Sequence, residues 1–548
     1  MNRGFFLGVD VGTGSARAGI FDDAGAMLGA ASQAIDIYRP AEDFVEHSSE
    51  NIWQACGIAI RTALAEAELR GEQISGLCFD ATCSLVALDA NDAPVSVSPS
   101  ESAAHNVIVW MDHRAIAEAD EINRTGHEVL RYVGGVISPE METPKLLWLK
   151  RHLPASFAKA ARFFDLPDFL SYRATGVDSR SHCTTVCKWT YLGHENEGRG
   201  AWSRSFFEQI GLGELLEHDA RRIGSVVRPL GERVGELSAR AASELGLVPG
   251  IPVGVSVIDA HAGGIGLLGG TLPGESLDDS AFETRLALIG GTSSCHMAVS
   301  REARFVPGVW GPYYSAMIPG MWLTEGGQSA TGALIDHVLE SHARYAELAN
   351  SAAARKTSVY ALLNERLDAL ADPRAPWSLT RELHVLPDHH GNRSPRADPT
   401  LRGMVSGLKL SSTVDQLALE YLATIQAIAH GTRHIIDALN QSGYRISTVI
   451  VTGGDSKNSV FLREHADVLG ARLLLPRESE AVLLGSAMLA ARAANRFPSI
   501  TSAMSEMGQI AHAIEPNSAA RAFHEAKHRV FLRMHEDQLA YRREMGHG

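Results

Sequence analysis

Cysteine is scarce: six residues in 548, too few for a disulfide scaffold. No uninterrupted apolar run reaches membrane-spanning length. The first residues lead straight into a strand-like run, with no signal-peptide pattern, so a cytoplasmic location is expected. Basic charge is in deficit. Lys and Arg number 50 against 64 Asp and Glu, for a net charge of −14. That balance disfavours nucleic acid or an anionic membrane as the main partner. It does not bar an anionic nucleotide, because local backbone donors can override the global field. Neither G-x-x-x-x-G-K-S/T nor G-x-G-x-x-G occurs at the Gly-rich turns described next, which disfavours P-loop and dinucleotide-binding readings. Low-complexity segments are absent too. What remains is ordinary globular composition, 45% hydrophobic and 21% charged, in a chain whose length suits two domains.

Phe5 to Phe21 reads as an apolar strand, a Gly/Thr/Ser turn and a second apolar strand. Gly12 and Gly14 are expected at φ > 0, close to a ligand. With the hydroxyls of Thr13 and Ser15 they make a nest suited to phosphate. Asp10 ends the first strand, where a carboxylate can hold Mg²⁺ through water. The plain alternative is a tight hairpin. A second copy weighs against it: Leu286 to Val299 repeats the layout around Gly290-Gly291-Thr292-Ser293-Ser294. Two such hairpins imply two similar lobes facing each other. A third turn, Gly453-Gly454-Asp455-Ser456-Lys457-Asn458, follows the strand 448–452 and opens a helix, a placement suited to adenosine or its phosphates.

Alternating strands and helices imply an α/β fold. A third strand is expected near 27–38, an amphipathic helix over 50–69 and a buried strand over 73–79 ending at Asp80. Residues 139–176 read as helical. A strand at 251–257 leads to Asp259, and the lobe boundary is expected within 268–282. The domains are then 1–270, 283–497 and a charged helical tail, 498–548. Residues 341–372 look like a peripheral helical insertion. Ser412 is the expected cap of a long helix through Asn440, with Gly443 as its stop. The tail is expected outside the core or at an oligomer contact, with a homodimer as the assembly.

The order DVGTGSAR, GGTSS, GGDSKN resembles the FGGY family of carbohydrate kinases, within the larger actin/hexokinase-like ATPase group. The resemblance covers about residues 5–497. It implies a two-lobed, ribonuclease H-like fold in which a mixed five-stranded sheet flanked by helices in each lobe closes on ATP and a sugar. It also implies Mg²⁺ held by Asp10 and Asp259. The nucleotide residues it implies are Gly12, Thr13, Gly14, Ser15, Arg17, Gly291, Thr292, Ser293, Gly332, Asp336, Gly453, Gly454, Asp455 and Asn458. Asp336 departs from the Gln of the related glycerol kinases.

Phosphoryl transfer to an alcohol needs a base, charge neutralisation and an aligned acceptor. Ser256 to Gly264 carries Asp259 at a strand end, and the resemblance makes Asp259 the catalytic base. The alternative is a helix N-cap. His261 is expected to be structural. Trp110-Met111-Asp112-His113-Arg114 resembles the family's W-x-D-x-R sugar-binding segment, against a buried Trp beside a surface ion pair. Lys188 matches a substrate lysine of ribulokinases, and Glu325-Gly326-Gly327-Gln328-Ser329 their ketose-binding segment. Cys183 and Cys187 invite a zinc reading, but no second Cys pair accompanies them, so buried thiols are expected. His389 and His390 sit in a Gly/Asn/Pro-rich loop and read as solvated, at the cleft rim. Thr82-Cys83-Ser84-Leu85-Val86 resembles the D-ribulokinase branch, with Cys83 shaping the pocket.

The expected reaction is ATP-dependent phosphorylation of the terminal hydroxyl of a ketopentose, foremost D-ribulose. L-Ribulose, D-xylulose and pentitols remain alternatives within the fold. A non-catalytic sugar or nucleotide sensor and an actin-like ATPase are the alternatives of other classes.

Overall fold

The computed structural model describes residues 4–546 apart from 276 and 279. Those two fall in the expected boundary segment and lie outside the described residues. Phe5–Val11 and Ser15–Asp22 pair antiparallel as the expected hairpin, and Met27–Ala34 extends it. Ile74–Ala81 runs parallel to Phe5–Val11 on its other side. Pro252–Gly254 and Arg233–Glu236 continue the sheet, and Val257–Ile258 pairs with the end of Ile74–Ala81. Phe5–Val11 is buried from Phe6 onward, as a covered parallel strand must be.

The second sheet repeats the plan. Arg285–Gly290 and Ser294–Ser300 form the hairpin, and Thr448–Gly453 and Arg472–Pro476 run parallel beside it. Trp322–Gln328 and Trp310–Tyr314 fill the other edge. Each sheet holds seven strands rather than the expected five. One addition comes from the tail, which is not all helix: Ile510–Ile514 pairs antiparallel with Arg472–Pro476 and covers backbone groups that would otherwise form an open edge. Ile500–Met507 and Arg521–Glu544 are the tail's helices.

Other expectations shift. Residues 139–176 contain a strand, Arg162–Asp165, because Phe163 and Phe164 bury their rings on opposite faces while the backbone pairs with Leu85–Leu88. Thr413, not Ser412, caps Val414–Gln441; its Oγ1 accepts from the Gln416 amide at 3.3 Å. Gly12 and Gly14 do not adopt positive φ. The turn closes through the Gly12 amide donating to the Ser15 carbonyl at 3.0 Å. A Cβ on Gly14 would meet nothing within 4 Å, so the turn faces open space.

Two helices cross between the lobes. Ala481–Ala493 lies on the first sheet, where a Cβ on Gly8 would come within 2.3 Å of the Leu483 carbonyl. Asp259–Leu268 lies against Ile289, Met297 and Met317 of the second half. Where they cross, a Cβ on Gly485 would sit 1.9 Å from the Ala262 carbonyl, and one on Gly266 would sit 2.1 Å from that of Ala481. Glycine is required at this crossing because the backbones touch. The crossing sets Asp259, at the start of its helix, between the two glycine hairpins.

Candidate active site

Two cavities meet at the second glycine turn. The first, about 580 Å³, is lined by Gly12–Ser15, Asp10, Arg17, Cys83, Lys188, Asp259, Ser293 and Glu325. The second, about 710 Å³, is lined by Gly291, Thr292, Gly332, Asp336, Gly454, Asp455 and Asn458. The turn therefore stands between them, with Ser293 walling the first and Gly291 and Thr292 the second.

Asp259 opens its helix rather than capping it; Ile258 is the N-cap. Its Oδ1 accepts from the Ala260 amide at 2.7 Å. Burial and the Asp10 charge push its carboxyl up to about 6. Asp10 is nearly buried and accepts from Arg17 Nε at 2.6 Å, while Arg17 Nη1 reaches Glu480 at 2.9 Å. Behind them Asp80 is fully buried, accepts from Ser486 at 2.5 Å and leaves Oδ1 without a partner. Burial, with Asp10 beside it, raises the Asp80 carboxyl well above the usual range. Asp10 and Asp259, which line the cavity together with the first glycine turn, fit a hydrated divalent cation.

At the other end Glu325 Oε1 accepts from Arg393 at 2.9 Å, and Oε2 lies 3.4 Å from His261 Nε2. Burial would raise this carboxyl, but His261 and Arg393 outweigh it and hold it at about 2. The buried Lys188 ammonium lies 5.2 Å from the Trp310 ring, on which Arg393 also stacks. Thr13 Oγ1 accepts from the Trp110 indole at 2.9 Å, tying the first turn to the segment 110–114.

Glu140, Cys295, Trp310 and Arg393 line this cavity without having been singled out as site residues in the sequence. No local pattern marks the first three. Arg393 sits in the loop expected at the cleft rim, and its charge beside Gly391 and Asn392 was the available signal. His261, expected to be structural, is a cavity wall residue held between Cys183 and Glu325.

Asp112 and Arg114 must be corrected. Both are buried and neither lines either cavity. Arg114 binds both Asp112 oxygens, at 2.8 and 2.7 Å, and reaches Glu46 at 2.8 Å and the Val97 carbonyl at 2.8 Å. The Val45 amide donates to Asp112 Oδ2 at 2.6 Å. With its lone pairs engaged, the carboxylate is a structural clamp. Gly453 lines neither cavity; at φ 93° it packs against Gly290, whose carbonyl a Cβ would approach to 1.9 Å. The Ala-rich insertion is not peripheral, because Tyr360, Ala361 and Asn364 of Val359–Leu370 wall the second cavity. The Tyr360 hydroxyl donates to Asp336.

Two facing sheets, duplicated phosphate turns and a carboxylate between them define a phosphotransferase of the actin/hexokinase-like kind. The chain belongs to the FGGY family of carbohydrate kinases: residues 5–266 match the family's N-terminal domain and residues 286–494 its C-terminal domain. It is 48% identical to a human FGGY carbohydrate kinase domain-containing protein, over 98% of this chain and 97% of that one. It is 40% identical to a D-ribulokinase of Saccharomyces cerevisiae, over 90% of this chain and 72% of the relative. The fold matches xylulose kinase from Rhodospirillum rubrum at TM-score 0.79 and 20% identity, covering 98% of this chain and 99% of the other. It also matches Plasmodium falciparum glycerol kinase with ADP at TM-score 0.75 and 14% identity, covering 97% and 98%.

Proposed function

We propose that this protein uses ATP and Mg²⁺ to phosphorylate the terminal hydroxyl of D-ribulose, giving D-ribulose 5-phosphate. The observation that carries the reading is that Asp259 faces the same cavity as Lys188 and Glu325, while the 291–293 turn joins that cavity to a second one. A sugar lies at the Lys188 end, the adenosine in the second cavity, and the phosphates pass the glycine turns. The similarity to a D-ribulokinase supports the choice of ketose.

Asp259 accepts the proton of the attacking hydroxyl. Its raised carboxyl value, about 6, keeps it ionised at neutral pH while making it a better base than an ordinary aspartate. Lys188 and Glu325 orient the ketose, with Arg393 and His261 fixing Glu325. Arg17 neutralises Asp10 until nucleotide enters. Bound Mg²⁺ supplies charge neutralisation for the phosphate oxygens, and Asp10 and Asp259 are the residues that would hold it. Closure about the helix crossing excludes water from the reaction.

A coupled ADP-release assay across D-ribulose, L-ribulose, D-xylulose and the pentitols tests the reading. The expected result is a kcat/KM for D-ribulose well above every other acceptor. Preference for another sugar overturns the choice of ketose, and no acceptor-dependent ADP overturns the kinase reading.

A further inference from the structure

Beside the sugar cavity lies a cluster whose two thiols phosphoryl transfer does not use. Cys183 and Cys187 stand one turn apart on the helix His182–Lys188, and His261 faces them from Asp259–Leu268. All three are buried, and one ligand atom from each lies within 4.8 Å of the other two. His261 Nδ1 is 3.1 Å from Cys183 Sγ, while Nε2 faces Glu325 at 3.4 Å. An imidazole with one nitrogen toward thiols and the other oriented by a carboxylate has the arrangement of a metal-ligating histidine.

We propose that Cys183, Cys187 and His261 bind one soft transition-metal ion, of the Zn²⁺ class, between the two helices. Two thiolates and a neutral imidazole balance a divalent charge, which a buried site requires. The donors are sulfur and nitrogen, so Mg²⁺, which takes oxygen ligands, does not compete there. Across a tetrahedral zinc centre sulfur and nitrogen stand roughly 3.5 Å apart. The 3.1 Å contact between Cys183 and His261 therefore has to open only slightly. Sequence spacing hides the site because the third donor lies 78 residues beyond Cys183 and comes from another helix. Lys188 directly follows Cys187, and Asp259 lies two residues before His261. The ion would therefore bolt the substrate lysine to the catalytic base. This inference does not depend on which sugar is phosphorylated.

Cobalt titration of the chelator-treated full-length protein tests it. A thiolate-to-cobalt charge-transfer band should saturate at one Co²⁺ per chain and be displaced by Zn²⁺. Cys183→Ser and Cys187→Ser should each weaken binding by about tenfold or more. Cys295→Ser, which alters the partly exposed thiol of the sugar cavity, should leave the band in place. X-ray absorption on the zinc-loaded unmodified protein should read two sulfur neighbours and at least one nitrogen, and this measurement stands even if the serine variants fail to fold. Absence of the band, its loss in Cys295→Ser, its survival in both other variants, or an all-oxygen and nitrogen shell overturns the site.

Discussion

The Arg114 guanidinium holds both carboxylate oxygens of Asp112, at 2.8 and 2.7 Å, in the protein interior. The Arg114 guanidinium carbon also lies 4.1 and 4.9 Å from the ring centres of Phe44 and Trp148, which meet edge to face. A motif that reads as sugar recognition is here a buried brace, joining the loop before Glu46 to the segment after Val109.

Removing one charge of that brace should destabilise the protein. Asp112→Asn leaves a buried guanidinium only partly compensated, an effect of about 3–5 kcal/mol. Denaturant unfolding should show that loss, with the KM for the ketose little changed in the folded fraction. A large rise in KM at unaltered stability would return Asp112 to the sugar site.

Asp259→Asn preserves shape and removes the proposed base. We expect kcat to fall by about 10²–10⁴, while ATP affinity, measured by equilibrium binding, stays within a few-fold of wild type. Near-normal turnover would place the base elsewhere.

Lys188→Met deletes a buried ammonium at the proposed sugar end of the cavity while keeping most of its volume. Loss of a charge-assisted hydrogen bond of about 1.5–3 kcal/mol corresponds to a rise in ketose KM of about 10- to 150-fold. The KM for ATP should hold. Steady-state kinetics with each substrate varied in turn separates the two, and an equal rise in both would show a general structural loss.

Gly485→Ala places a methyl 1.9 Å from the Ala262 carbonyl at the helix crossing. Overpacking of this kind destabilises by about 1–3 kcal/mol. Because the crossing also relates the lobes, kcat should fall together with the melting temperature. An unaffected melting temperature would mean that the backbones separate easily at this point.

Much of the fold was legible because its signals are local. Apolar runs on either side of Gly-Thr-Ser turns mark both hairpins, and Gly, Asp and Asn after the strand 448–453 mark the nucleotide turn. Ile510–Ile514 was not legible, because a short edge strand is decided by the open edge beside it rather than by its own residues. Val359–Leu370 looked peripheral because an Ala-rich amphipathic pattern says nothing about what its buried face covers.

The site divides in the same way. Asp10, Lys188, Asp259 and Glu325 stand in recognisable segments, and the cavity gathers all four. Arg393 and His261, which pin Glu325, come from distant stretches whose chemistry is silent until they meet. The sequence by itself determined a duplicated strand–turn–strand architecture and a carboxylate at a strand end, since a turn and a strand end depend on neighbours along the chain. Only the tertiary structure decided that Asp112 is a brace, that the insertion walls the second cavity and that two cysteines meet a histidine. Burial and pairing depend on which distant surfaces exclude water from one another.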